Sequence, residues 1–318
     1  MTGLLLVILL GCRSGRTVPA HEAQSLSDTT ASPPAQFDGP RAYSILLKQT
    51  SMGPRNPGSA GHDACLSYVV AEASELADTV LQQRFEQFTS TGKRIEGTNI
   101  IARFLPSWSD RLLLSAHWDT RPWADQDSDT SKRHDPFLGA NDGASGVAVL
   151  LEVARALSNH PPPLGVDLVF FDLEDMGHSG DFESWCLGST YFAAHLPEGA
   201  SYRFGINIDM VGDKELEIPR EVNSTTFAPG IVDMVFATAE RLRLYEFVNE
   251  DGDEVYDDHI PLNRAHIPCI DLIDFRYPDL SNTYWHTTAD TPDKCSPESL
   301  SAVGTLLLTV TYAQRSNP

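Results

Sequence analysis

The stretch "VDLVFFDLEDMG", residues 166 to 177, limits the possible folds of this chain more than any other. Its first half is a short apolar run of β-branched and aromatic residues, interrupted only by Asp167 and bounded by turn signals at Pro161 to Gly165 and at Gly177. Such a run reads as a strand buried on both faces, the kind found inside a parallel sheet covered by helices. It ends on an acidic pair, Glu174 and Asp175. Open α/β sheets bind ligands at the carboxyl ends of their strands, which gives that pair its interest. Taken alone, an acidic pair after a strand is more often solvated punctuation.

The rest of the chain fits the same architecture. "RAYSILLKQT" reads as a helix, "GPRNPGSAGHDA" as a Gly/Pro-rich loop, and Asp63 to Leu76 as a second helix. "TVLQQRFEQFT", "GTNIIARFLPS" and "DRLLLSAH" read as strands. From Gly143 onward, Val147, Leu150, Leu151, Ala154 and Leu157 form the stripe of an amphipathic helix that leads back to the strand at 166. Beyond it come a helix from Gly188 to His195, the strand "FGINIDMVG", a helix from Ile231 to Leu242, the strand "CIDLID" and a helix from Pro297 to Ala313. Helices alternating with buried strands predict an α/β fold, a central, mostly parallel mixed sheet flanked by helices on both faces, with some antiparallel members in the first part.

A chain of 318 residues, 41% of them hydrophobic, can bury one large core. No long linker follows the first forty residues, so residues 37–318 are expected to form a single domain. The opening "MTGLLLVILLGCRSG" holds seven consecutive apolar residues, Leu4 to Leu10, far short of the ~20 that span a bilayer. A short apolar stretch ending in "LLGC" resembles the lipobox of bacterial lipoprotein signal peptides. Residues 1–12 are therefore expected to direct export, with Cys12 as the lipidated residue, although "MTG" lacks the usual basic flank. Residues 13–36, rich in Ser, Thr, Pro and Ala, read as a disordered tether between membrane and folded body. The expected location is the periplasmic or outer face of a membrane.

With 23 basic against 44 acidic residues the formal charge is −21. That balance repels phosphate backbones and anionic lipid surfaces, which excludes a nucleic-acid partner and leaves membrane contact to the anchor. Cys65, Cys186, Cys269 and Cys295 show no metal-ligand spacing, and disulfides and buried thiols stay equally open.

Metal-capable side chains recur where apolar runs end. "LLLSAHWD" ends at His117 and Asp119, "FFDLED" at Glu174 and Asp175, and "GINIDMVGD" at Asp209 and Asp213. "NTYWHTTAD" adds His286, and "GANDGASG" puts Asp142 at the start of the amphipathic helix. Singly, each has a plainer reading: Asp142 as a helix N-cap, the others as satisfied polar groups at strand ends. Together they supply the mixed nitrogen and oxygen donors that zinc accepts.

The blocks "HWDTRPWAD", "GANDGASGVAVLLEVARAL", "FFDLEDMG", "WCLGSTYFAAH", "NIDMVGD", "DDHIP" and "YWHTTADT" occur in the order and approximate spacing of the glutaminyl-peptide cyclotransferases, a family of the zinc aminopeptidase-like superfamily. The chain resembles that family, its bacterial members above all, from about Pro40 to the C-terminus. The resemblance implies a zinc-dependent catalytic domain that converts the N-terminal glutamine of peptides or proteins to pyroglutamate with release of ammonia. It assigns zinc to Asp142, Asp175 and His286, the acid/base role to Glu174, and support of the reacting amide to Asp209 and Asp257. Where animal members often carry Glu, this chain has Asp175, one carbon shorter, so the loop must move inward.

One zinc is expected. The superfamily's aminopeptidases bind a second metal through positions that map to His117 and Asp209, and both residues are present. Two features favour cyclisation: Asp257 stands where aminopeptidases typically have a small residue, and Trp285 adjoins the ligand His286. Trp185 either walls the same pocket or is an ordinary core tryptophan, because the extra residues "HSGDFES" before it blur the match. The competing readings are a zinc aminopeptidase and a lipid-anchored metal-binding protein without turnover. The complete set Glu174, Asp209 and Asp257 argues against the latter.

Overall fold

The computed structural model describes residues 36–88 and 92–315. The export signal with Cys12, and the tether up to residue 35, lie outside the described residues. Helix α1 (Gly39–Thr50) opens with Asp38 accepting from the Arg41 amide at 3.0 Å and with Pro40 in the first turn, both favoured at helix starts. Helix α2 (Ala60–Leu76) begins three residues earlier than the sequence predicts, because Ser59 caps it by accepting from the His62 amide.

The chain then makes β1 (Thr79–Phe88), β2 (Arg94–Phe104), β3 (Asp110–His117), α3 (Ala144–Asn159), β4 (Gly165–Phe171), α4 (Leu187–Ala194) and β5 (Ser201–Asp209). After these come β6 (Ile218–Arg220), α5 (Val222–Phe227), α6 (Pro229–Leu242), β7 (Phe247–Asp251), α7 (His259–Arg264), β8 (Cys269–Ile273) and α8 (Pro297–Ala313). The main sheet has the order β1-β2-β4-β3-β5-β8. β4, β3, β5 and β8 are mutually parallel, while β2 runs antiparallel to both β1 and β4. The antiparallel members therefore fall in the first part of the chain, as predicted.

Alternation along the strands divides the core in two. Ile100, Leu112, Leu114, Leu168, Phe170 and Ile206 face a large cluster that includes residues of α1, α2, α3, α6 and α8. Ile101, Leu113, Val169 and Phe171 face a smaller one with Phe192 of α4 and Leu262 of α7. Helices thus cover both faces, which is why β4 is buried at every position.

Asp167, the one charge inside β4, is fully buried and satisfied. Arg111 donates to it at 2.5 Å, Arg103 at 3.1 Å and the Tyr202 hydroxyl at 2.7 Å. Burying such charges costs several kcal/mol per ion unless partners of this kind compensate. All four cysteines among the described residues are free and buried. The strand expected through Gly212 stops at Asp209, because Met210 turns into the left-handed region at φ 50°. The parallel strands leave His117, Glu174 and Asp209 at one edge of the sheet.

Candidate active site

Left-handed backbone marks the edge where the strands end. Leu173, Cys186, Met210 and His286 all have φ between 50° and 59°, and each lies within one residue of Glu174, Trp185, Asp209 or Trp285. Non-glycine residues hold this conformation only where their surroundings enforce it, and such residues collect at functional sites. Glycines allow two close approaches. A Cβ on Gly143 would sit 2.4 Å from the His117 imidazole, and one on Gly177 would sit 1.9 Å from the Trp185 ring. The turn after the acidic pair is thus a seat for Trp185.

Asp142 does not cap α3. Gly143 is the N-cap residue and no side chain caps the helix. Asp142 points instead at two imidazoles, its Oδ1 3.1 Å from His117 Nε2 and its Oδ2 3.5 Å from His286 Nε2. Asp175 Oδ1 is 3.2 Å from the same His286 nitrogen. Donors bound to tetrahedral zinc at ~2.0–2.1 Å stand about 3.3 Å apart, so these spacings fit a shared ion. Asp142 Oδ2 is buried and has no hydrogen-bond partner in the protein, as a metal donor in this cluster would. Asp175 is short but well held, with Oδ2 accepting from the Arg121 amide at 3.1 Å. Asp119 braces the same loop from the amides of Glu174 and Asp175, at 3.2 and 3.4 Å. The Asn141 and Asp142 amides donate to Asp290, which the Tyr277 hydroxyl also reaches.

His117 Nε2 also lies 3.1 Å from Asp209 Oδ1, so His117, Asp142 and Asp209 form a second cluster sharing Asp142 with the first. Burial opposes charge on this imidazole, but Asp209 and the hydrogen bonds from Asp119, Asp142 and Asp209 hold its pKa well above the usual value.

Glu174 and Asp257 each bring a carboxylate oxygen into a group with Cys186 Sγ, all within 4.8 Å. The Cys186 thiol donates to Glu174 Oε1 at 3.5 Å. Burial, then the neighbouring Asp175 charge, push the Glu174 carboxyl well above the usual range. Burial likewise raises Asp209 to about 7, against the pull of His117. Asp257 is held from behind by Asn207, whose amide donates to it at 3.0 Å and to Asp271 at 3.1 Å. Asp213, at the same strand end, is buried away from this group, next to Cys295.

These side chains line a cavity of about 440 Å³ that contains Asp142, Glu174, Asp175, Asp209, Asp257 and His286. Trp185 is half-buried, stacks at 6.1 Å on the His286 ring and lines the cavity, so it is not a core tryptophan. Trp285 also stacks on the His286 ring, at 3.8 Å. The sequence reading assigned no role to Arg121, Phe275, Tyr256 or Phe182, which also line it. Arg121 could have been found: it lies inside "HWDTRPWAD", and it ties Asp125, Asp175 and Gly177 together while its guanidinium lies 4.8 Å from the Trp185 ring.

A family model described as "Peptidase family M28" matches residues 99–311. The glutaminyl cyclase of Bacteroides thetaiotaomicron, solved bound to N-acetylhistamine, superposes with a TM-score of 0.85 at 38% identity, over 88% of this chain and 99% of that one. The Porphyromonas gingivalis glutaminyl cyclase gives 0.83 at 39% identity, over 86% and 98%. A structure described as a Zn-dependent exopeptidase from Parabacteroides distasonis gives 0.84 at 36%, over 89% and 100%.

Proposed function

The chain belongs to peptidase family M28, and we propose that it is a zinc-dependent glutaminyl-peptide cyclotransferase acting on peptides or proteins with N-terminal glutamine. The observation that carries this reading is Asp257 beside Glu174, both within 4.8 Å of a common partner, in the cavity that also holds the Asp142, Asp175 and His286 donors. A hydrolase needs one base for water. Two carboxylates flanking one reacting nitrogen suit an intramolecular exchange of amines.

Asp142, Asp175 and His286 would hold the zinc, which would supply Lewis-acid polarisation of the γ-carbonyl. Glu174 takes a proton from the α-amine as that nitrogen attacks the γ-carboxamide carbon, and returns it to the departing amide nitrogen, which leaves as ammonia. Burial suits Glu174 to both steps, since a raised pKa brings donor and acceptor forms closer in energy near neutrality. Asp209 and Asp257 accept hydrogen bonds from the exchanging nitrogen and fix its direction. Trp185 and Trp285 flank the site and shield it from water. No covalent bond to the protein is needed.

One zinc is proposed, on the Asp142, Asp175 and His286 donors. The aminopeptidase reading has one observation in its favour, the second cluster of His117, Asp142 and Asp209. The two readings part on product. Given a Gln-initiated peptide and a leucine anilide side by side, the purified protein is expected to release ammonia from the first and no anilide from the second. Anilide release without ammonia would overturn the assignment.

A further inference from the structure

Cys186 has no part in the chemistry above, yet it grips the general acid/base twice. Its amide donates to the Glu174 carbonyl at 2.9 Å and its thiol to Glu174 Oε1 at 3.5 Å. The Leu187 amide donates to the Leu173 carbonyl at 3.1 Å, so residues 186 and 187 are clamped as a pair against 173 and 174. Cys186 stands just ahead of α4 with φ 53° and ψ 40°, a left-handed backbone that non-glycine residues keep only where their surroundings enforce it. Its side chain caps nothing there and turns to Glu174 instead. A buried free cysteine ordinarily behaves as a small apolar residue. Among the described residues, however, Cys186 alone of the four buried thiols donates to a side chain, whereas Cys269 reaches only the carbonyl of Ile270 beside it.

Glu174 lines the cavity and Cys186, fully buried, does not, so the thiol touches the acid/base without facing the substrate. Burial and the charges of Glu174, Asp258 and Asp257 push the thiol well above its ordinary pKa. It therefore stays a neutral S–H donor and not a nucleophile, since the thiolate is the reactive form. Among the described residues it is also the one donor that reaches the Glu174 carboxylate, and an Asp257 oxygen lies within 4.8 Å of both. We infer that Cys186 is a positioning residue for Glu174: its thiol occupies Oε1, fixes the rotation of the carboxylate, and leaves Oε2 to take the proton from the α-amine and return it to the departing nitrogen. A misplacement of about 1 Å in a reacting group can cost 10²-fold in rate, and the loss of this weak donor should cost a part of that.

This inference rests on the cyclisation reading, and one experiment separates their failures. Ammonia release from a Gln-initiated peptide is followed for the parent protein, Cys186→Ala, Cys186→Ser, Glu174→Gln and the double variant Cys186→Ala with Glu174→Gln, with zinc content measured on each. Cys186→Ala is expected to lower kcat by about tenfold, with KM within about twofold of the parent and zinc content unchanged. Cys186→Ser keeps a donor in the same place and should recover most of the loss. In the Glu174→Gln background no proton acceptor remains to be held, so adding Cys186→Ala should change the residual rate by less than about twofold. A purely structural cysteine would instead cost the same factor in both backgrounds. Parent kcat in Cys186→Ala, a Cys186→Ser protein as slow as Cys186→Ala, or equal losses in both backgrounds overturns the positioning role while cyclisation stands. No ammonia from the parent overturns both.

Discussion

Glu174→Gln is expected to lower kcat by at least the ~10²-fold typical of a lost general acid/base, with zinc content unchanged. The substitution keeps size and shape, and its backbone anchors stay in place: the Glu174 amide remains on Asp119 and its carbonyl still accepts from the Cys186 amide at 2.9 Å. An amide in this position cannot take a proton from the attacking amine. Steady-state kinetics with a Gln-initiated peptide, paired with metal analysis, checks both halves. If Glu174→Gln loses the metal and Asp175→Asn keeps it, the two neighbours have exchanged roles.

Removal of zinc is the second large effect. Chelation is expected to abolish turnover, and zinc added back in stoichiometric amount to restore it, with about one tightly held zinc per chain. Asp175→Asn is expected to weaken the metal first, since a carboxamide is a poorer, uncharged ligand, and excess zinc should recover part of the activity. His286→Ala removes the one nitrogen donor of the set and should not be recovered in that way. Titration of the apoprotein with zinc, followed by activity and by metal content, separates these cases. Two tightly bound zincs, both required for turnover, would favour the aminopeptidase reading instead.

Much of this was legible because the sheet is buried on both faces. A strand such as β4 must be a continuous apolar run, and the residue types that break the run at its carboxyl end then stand out, as Glu174 and Asp175 do. The same logic marked His117 and Asp209. Asp142 was harder, since an Asp before an amphipathic stripe is a common N-cap, and only the fold shows it facing His117 and His286 while Gly143 takes the cap position.

The short elements escaped. β6, α5, β7 and α7 are three to six residues long, too short for a period of 3.6 or 2 to emerge, and they form only because longer elements pack around them. Phe182 escaped for another reason: a short hydrogen-bonded turn brings it into the cavity lining, and nothing in its composition says so. Trp185 looked equally like a core residue until Gly177, by lacking a Cβ, was seen to leave room for its ring.

The central claim is that the α-amine of the substrate, and not water, attacks the γ-carbonyl. The most direct measurement is mass spectrometry of the products formed from a Gln-initiated peptide in heavy-oxygen water. Cyclisation predicts a peptide lighter by one ammonia and free of solvent oxygen. A peptide with N-terminal glutamate carrying heavy oxygen in its γ-carboxylate would mean that water attacks the γ-carbonyl, and free glutamine carrying heavy oxygen in its α-carboxylate would mean peptide-bond hydrolysis; either would contradict the account.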